Sequence, residues 1–256
     1  MMKIWSILKR EIKAYFVSPI AYVILAIFLL IVGFFFYNML MYFNLRSMQM
    51  ASNPYMSRGM NLNEMVVRPL FQNMSVIILL VIPMLTMRLY AEEKKSGTIE
   101  LLFTAPITDV ETAVGKFFAA FFMLFLMSGL TLIYPFILSR VSTIEWGPVW
   151  SGYIGFLLMA GAFISFGLMI SAFTSNQIVA AILSFGGLLF FWIIGWSSEF
   201  VTGAFGQVLS YLSLIEHFDD FAKGVCDTKD VIYYLSFIFI GVFTTIQILE
   251  SSKWRA

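Results

Sequence analysis

From Trp146 to Ser198 the chain runs for 53 residues without one Asp, Glu, Lys, Arg or His. A run of that length cannot supply a water-facing surface, because soluble folds keep their charged side chains outside and distribute them along the chain. Four shorter charge-free runs accompany it: Ala14–Leu45 with 32 residues, Pro69–Met87 with 19, Phe117–Ser139 with 23 and Val231–Leu249 with 19. A helix rising about 1.5 Å per residue crosses a hydrocarbon core of about 30 Å in roughly 20 residues. Each shorter run therefore holds one crossing. The longest holds two, divided at Thr174-Ser175-Asn176-Gln177, its one sustained polar break. Six transmembrane helices are expected, near residues 20–43, 69–87, 115–139, 149–173, 178–198 and 231–250. The runs lack the period-two alternation of a membrane β-barrel. With 60% of residues hydrophobic and 12% charged, the expected fold class is an all-α integral membrane protein. Residues 1–256 are read as a single membrane domain without internal repeats.

Basic residues set the expected orientation. With the N-terminus in the cytoplasm, ten lie inside (Lys3, Lys9, Arg10, Lys13, Arg88, Lys94, Lys95, Lys116, Lys253 and Arg255). Six lie outside: Arg46, Arg58, Arg68, Arg140, Lys223 and Lys229. The excess places both termini in the cytoplasm. Charges continuing to Lys13, followed by so long an apolar run, do not make a cleavable signal. The single cysteine, Cys226, permits no internal disulfide. A net charge of +1 gives no case for a nucleic-acid partner.

Several chemistries are set aside by what the spans lack. Ion-coupled carriers place an ionisable group at mid-membrane, and here every expected span is free of Asp, Glu, Lys, Arg and His away from its ends. Ser128, Thr131, Ser165, Ser171, Thr244, Thr245 and Gln247 are read as ordinary helix-packing polar groups. A phosphate-binding loop needs G-x-x-x-x-G-K-[ST]. The one Gly-Lys pair, Gly115-Lys116, is followed by Phe117 and has Val110 where the first glycine belongs. A single histidine excludes H-E-x-x-H. Any energy for uphill movement is expected to come from outside this chain, which carries no catalytic residue, cofactor or metal site of its own.

Three segments outside the bilayer carry more information. In KIWSILKREIKAYF, Ile4, Leu8, Ile12 and Tyr15 or Phe16 recur at helical spacing, with Lys3, Lys9, Arg10 and Lys13 on the other side. That pattern predicts an amphipathic helix on the membrane surface, its basic side toward lipid headgroups. Ser18-Pro19 supplies an N-cap and a first-turn proline where the chain enters the membrane. In RLYAEEKKSGTIELLFTAP, Arg88 and Glu92 stand at i,i+4 and Glu92 and Lys95 at i,i+3, spacings that support a helix. Ser96-Gly97 ends it. Thr98 is expected to cap a short helix over Ile99–Thr104, which Pro106 stops, and Thr108-Asp109-Val110-Glu111 reads as a capping box for the third span. In Gly203–Asp230, the positions Val208, Leu212, Ile215, Phe218 and Ala222 predict a helix dipping into the outer leaflet, with Glu216, His217, Asp219 and Asp220 on a solvated face rather than around a metal. Met48, Met50, Met56, Met60 and Met65 after the first span are read as adaptable packing.

Six spans, the basic helix leading to Ser18-Pro19, and R-x-x-x-E-E-K-x-x-G-T-x-E-L-L-x-x-x-P between spans two and three resemble the ABC-2 type transporter permeases. Tyr211-Leu212-Ser213-Leu214-x-x-His217-Phe218, with Gly224, Asp227 and Asp230 before the last span, is similar too. It departs at Leu214, where relatives often carry proline. Within the family the chain most resembles the gliding-motility-associated and nitrous-oxide-reductase-maturation permeases. The resemblance implies a permease subunit in the bacterial inner membrane, driven by two separate docking ATPase subunits that carry ATP and magnesium. It also implies pairing with a second permease, identical or related. The ATPase-coupling loop it implies contains Arg88, Glu92, Glu93, Lys94, Lys95, Gly97, Thr98, Glu100, Leu101, Leu102 and Pro106. Lys3, Lys9, Arg10 and Lys13 belong to the membrane-surface helix, and Leu212, Ile215, His217, Phe218 and Gly224 to the re-entrant one. Export is the expected activity, with lipids and an extracytoplasmic auxiliary protein as further partners. The alternative is a scaffold that passes ATPase motion to an extracytoplasmic partner without moving a small substrate.

Overall fold

The structure, a computed structural model, describes residues 2–52, 61–100, 106–198 and 203–253. All regular elements among these residues are helical: α1 Met2–Val17, α2 Pro19–Ser52, α3 Arg68–Thr86, α4 Ala91–Lys95, α5 Asp109–Thr131, α6 Ile133–Val141, α7 Trp146–Phe173, α8 Gln177–Ser198, α9 Ala204–Leu212, α10 Leu214–Ala222 and α11 Thr228–Lys253. A π-helical turn, Asn63–Val67, leads into α3. Six stretches are long and apolar enough to cross a membrane: Ala21–Met50, Asn63–Lys95, Asp109–Val141, Trp146–Phe173, Gln177–Trp196 and Thr228–Lys253. The chain is a multi-pass membrane protein.

The spans extend beyond the expected limits mainly at their ends. Helix α2 continues to Ser52, so its 34 residues measure about 50 Å and the expected loop from Asn44 is helical for its first nine positions. The third crossing is divided at Leu132. Pro135 has no N–H to offer the Thr131 carbonyl, which ends the regular ladder there. The Thr131 hydroxyl instead lies 2.9 Å from the Tyr153 hydroxyl of α7. The single helix expected within 203–230 is two helices, because Ser213 takes an extended conformation between α9 and α10 and accepts a hydrogen bond from the Glu216 amide. The expected short helix over Ile99–Thr104 is helical at Ile99 and Glu100. Its remaining positions, with Leu101 and Leu102, lie outside the described residues, as do Met56 and Met60.

Helices α3 and α7 form the centre, with 72% and 67% of their most apolar windows buried against 39% or less in the other spans. In α2 only the Ala21-Ile24-Phe28-Val32-Phe36 stripe is buried, while Val23, Ile27, Leu30 and Phe34 stay exposed. A face that is apolar yet exposed suits contact with lipid tails. At α7 the backbone is approached directly. A Cβ at Gly167 would sit 2.2 Å from Thr86 Oγ1 of α3, and one at Gly155 would sit 2.4 Å from Phe221 Cβ of α10. Small residues permit such approach where no hydrophobic effect drives helices together in lipid. Replacing Gly155 with Val should lower stability by about 1–3 kcal/mol through overpacking, read as a lower thermal unfolding midpoint in detergent.

Candidate functional site

One face of the bundle carries α1, the turn after α3, α4, the start of α5 and the end of α11. We call it the near face. Its chemistry centres on Lys116, which lies in the second turn of α5 with 1% of its side chain exposed. An isolated ammonium in such a place would be strongly destabilising. Lys116 Nζ has three protons to donate and reaches three acceptors: the Leu89 carbonyl at 2.6 Å, Glu93 Oε1 at 2.9 Å and Glu11 Oε1 at 3.1 Å. Arg10 donates to the same two oxygens, at 2.6 Å to Glu11 and 3.0 Å to Glu93. Two cations and two carboxylates thus form one neutral network joining α1, α4, α5 and the turn after α3. Burial pushes the Glu11 carboxyl up, but the Lys116 and Arg10 charges and hydrogen bonds outweigh it and hold it below its ordinary value. Burial likewise works against the Arg10 cation, and its contacts with Glu11 and Glu93 raise it despite that.

Helix α1 is docked rather than merely laid on a membrane surface. Ile7 and Tyr15 are its buried apolar residues, and a Cβ at Gly115 would sit 2.8 Å from Ile7 Cγ2. The Tyr15 hydroxyl donates to the Leu85 carbonyl at 3.0 Å. Lys3, Lys9, Arg10 and Lys13 are all exposed. Two of them also hold the helix to its neighbours: Arg10 joins the network and Lys3 donates to the Pro106 carbonyl.

The segment 88–106 is fixed on its inner side at several further points. The Ser171 hydroxyl of α7 donates to the Met87 carbonyl at 3.0 Å and accepts from the Tyr90 and Ala91 amides at 3.0 and 3.2 Å. It thereby satisfies backbone groups that the break after α3 leaves without helical partners. Lys94 donates to the Ala172 carbonyl, placing a positive charge at the C-terminus of α7 where the helix dipole favours it. The capping box at Thr108 is present in both directions, with Thr108 N–H donating to Glu111 Oε2 at 3.0 Å and the Glu111 amide to Thr108 Oγ1 at 3.2 Å. Lys253 at the end of α11 lies 2.7 Å from Asp109 Oδ2. The expected Arg88–Glu92 and Glu92–Lys95 pairs do not form among the described residues; Arg88 stacks over the Tyr15 ring at 5.0 Å instead. The outer side of the loop is different. Glu92, Lys95, Ser96, Gly97, Thr98 and Glu100 are exposed, and Gly97 has φ +73°, a conformation that favours glycine.

The far face holds a second constellation. His217 is buried, correcting the expected solvated face. Its Nε2 lies 3.0 Å from the Tyr211 carbonyl and its Nδ1 2.6 Å from Asp230 Oδ1. A carbonyl only accepts, so Nε2 carries a proton. Tyr233 stacks on the ring at 3.9 Å. Phe218 is fully buried, and Ile215 packs against the same core. Leu212 is exposed, with its carbonyl accepting from Tyr233. Gly224, at φ +97°, lies against Pro148. Arg68 at the head of α3 donates to both oxygens of Asp219, at 2.8 and 3.1 Å. Burial raises Asp219, but Lys223 and Arg68 more than reverse this and hold it below its usual range.

Sequence reasoning missed Lys116, Glu11 and Ser171 as site residues. The available signal was Lys116 itself, a lone lysine at the head of the charge-free run that starts at Phe117, which must find anionic partners. The family model described as ABC-2 family transporter protein matches residues 5–238 of the chain. A comparison with curated proteins gives no match.

Replacing Lys116 with Met leaves Arg10 alone to answer the Glu11 and Glu93 carboxylates; Lys116→Met should destabilise the protein by about 3–5 kcal/mol, measured by thermal or denaturant unfolding in detergent. Because the Glu11 carboxyl lies below 4.5 in the folded state, its contribution to stability is complete above that value and is lost as pH falls through the folded one. Glu11→Gln should therefore flatten the acid limb of the stability–pH profile below about pH 4.5.

Proposed function

The chain belongs to the ABC-2 transporter family, and from that premise we propose that it is an export permease whose 88–106 loop receives the motion of separate ATPase subunits. Membership makes it the membrane permease subunit of an ABC transporter, a kind of subunit that works with ABC ATPases and usually with a second permease. In our reading two ATPase subunits, carrying ATP and magnesium, dock at the near face, which is the cytoplasmic one. The second permease is identical or related, and the membrane is the bacterial inner membrane. The observation that carries this reading is the two-sided loop. Its inner side is held by the Lys116 network, Ser171 and the Lys94–Ala172 contact, while Glu92, Lys95, Ser96, Gly97, Thr98 and Glu100 remain exposed for a partner. A push on the exposed side passes through short charge-assisted hydrogen bonds to α1, α5 and α7 together.

A second reading, in which the motion passes to an extracytoplasmic partner, is supported by α3. This one helix joins the turn at Met87–Tyr90 to Arg68, which grips Asp219 on the far face. The two readings differ only in whether a molecule crosses.

The test is reconstitution of the permease with its ATPase in liposomes. The chain alone should hydrolyse no ATP, and addition of its liposomes should stimulate the ATPase. Gly97→Pro should abolish that stimulation, since proline cannot adopt positive φ, with the permease still folded. Glu93 is a poor site for this test, because its loss disturbs Lys116. Hydrolysis by the chain alone, or full stimulation by Gly97→Pro, would overturn the coupling role. ATP-dependent efflux of amphiphiles separates export from motion transfer.

A further inference from the structure

Two cavities flank the point where the chain passes from α1 into α2. The first, about 770 Å³, is lined by the charged residues Arg10, Glu11, Arg88, Glu92 and Lys116 together with apolar ones, and reaches Val17 and Ser18. The second, about 230 Å³, is a purely apolar groove between α2 and α3 that starts at Pro19, the next residue, and runs along Ile24, Ile27, Val81 and Met84. A charged chamber beside an apolar groove fits an amphiphile. The groove lies on the lipid-facing side of α2, where Val23 and Ile27 are 53% and 50% exposed, so its occupant comes from the bilayer and not from the aqueous phase.

The charges of the chamber narrow the class. Arg10, Lys116, Glu11 and Glu93 cancel within their own network. Arg88 and Glu92 line the same chamber, and neither makes an ion pair with a described residue; Arg88 lies over the Tyr15 ring. One guanidinium and one carboxylate, four residues apart in the chain, await one anion and one cation. A guanidinium fork suits a phosphate, and a carboxylate suits an ammonium that can donate hydrogen bonds to it.

We propose that this junction binds a zwitterionic phospholipid carrying a primary ammonium, of the phosphoethanolamine class. Its phosphate meets Arg88, its ammonium meets Glu92, and one acyl chain lies in the α2–α3 groove. Glu92 and Arg88 both belong to the 88–106 segment, so the lipid holds that segment to α1 and α2 from the bilayer side. The site requires no ATPase and stands whether or not the loop couples to one.

Native mass spectrometry of the detergent-purified full chain tests this with phosphatidylethanolamine, phosphatidylcholine and phosphatidylglycerol of matched acyl chains, and with water-soluble phosphoethanolamine. The ethanolamine lipid should bind about tenfold tighter than the choline lipid, whose methylated ammonium donates no hydrogen bond. Glu92→Gln, at an exposed position, should erase that preference. Arg88→Gln should weaken all three lipids, and Ile27→Trp should fill the groove and do the same. Equal binding of the three lipids, tighter binding of the glycerol lipid, a preference that survives in Glu92→Gln, or soluble phosphoethanolamine binding as well as the lipid would each overturn the proposal.

Discussion

An ammonium group cannot be taken out of water unless its protons are accepted and its charge is answered. Lys116 meets both conditions only if three separate pieces of chain converge on it: Glu11 from α1, Glu93 from α4 and the Leu89 carbonyl from the turn after α3. The rest of the near face follows from that convergence. Helix α1 is held against α5 with Ile7 over Gly115, and the loop after α3 turns back so that Glu93 points inward. Arg10 is then required as well, because Glu11 and Glu93 together bring one more negative charge than Lys116 removes.

The spans were legible because charge-free length is a direct statement about solvent. Expected limits of 149–173 and 178–198 agree closely with Trp146–Phe173 and Gln177–Ser198, and the capping box at Thr108 was local enough to read directly. What was not legible depends on partners distant in sequence. Glu11 and Lys116 stand 105 residues apart, and no local pattern relates them. Ser171 looked like packing because its partners, at Met87, Tyr90 and Ala91, are backbone groups that any sequence would present. His217 was placed in solvent because its helix carries three ionisable neighbours, Glu216, Asp219 and Asp220, yet its carboxylate partner, Asp230, begins the next span. The Arg88–Glu92 spacing was right for a helix, but the helix starts only at Ala91, so the i,i+4 geometry never exists.

The two faces are built differently. On the near face, ionic contacts tie a loop to the bundle while leaving its tip exposed. On the far face, His217 uses both ring nitrogens, and Asp219 answers Arg68 and Lys223 at once. His217, Asp219 and Lys223 also line a cavity of about 770 Å³. Helix α3 joins the two faces, with Arg68 at one end and the Ser171-anchored turn at the other.

The glycines of α7 carry a consequence for how the bundle can rearrange. Phe71 of α3 faces Gly152, Thr86 of α3 faces Gly167, and Phe221 of α10 faces Gly155, while Gly241 of α11 receives Ser165. Each is a key in a slot that exists only where a side chain is missing. Sliding α3 along α7 by a single residue would bring Phe71 against Ser151 or Tyr153 and Thr86 against Phe166 or Leu168. The register between these helices is therefore a lock at both ends. Helices α3, α7, α10 and α11 are keyed together at these slots, and α8 joins them where Gly187 receives Phe166 of α7, so a change of shape that keeps the slots filled leaves their relative register unchanged.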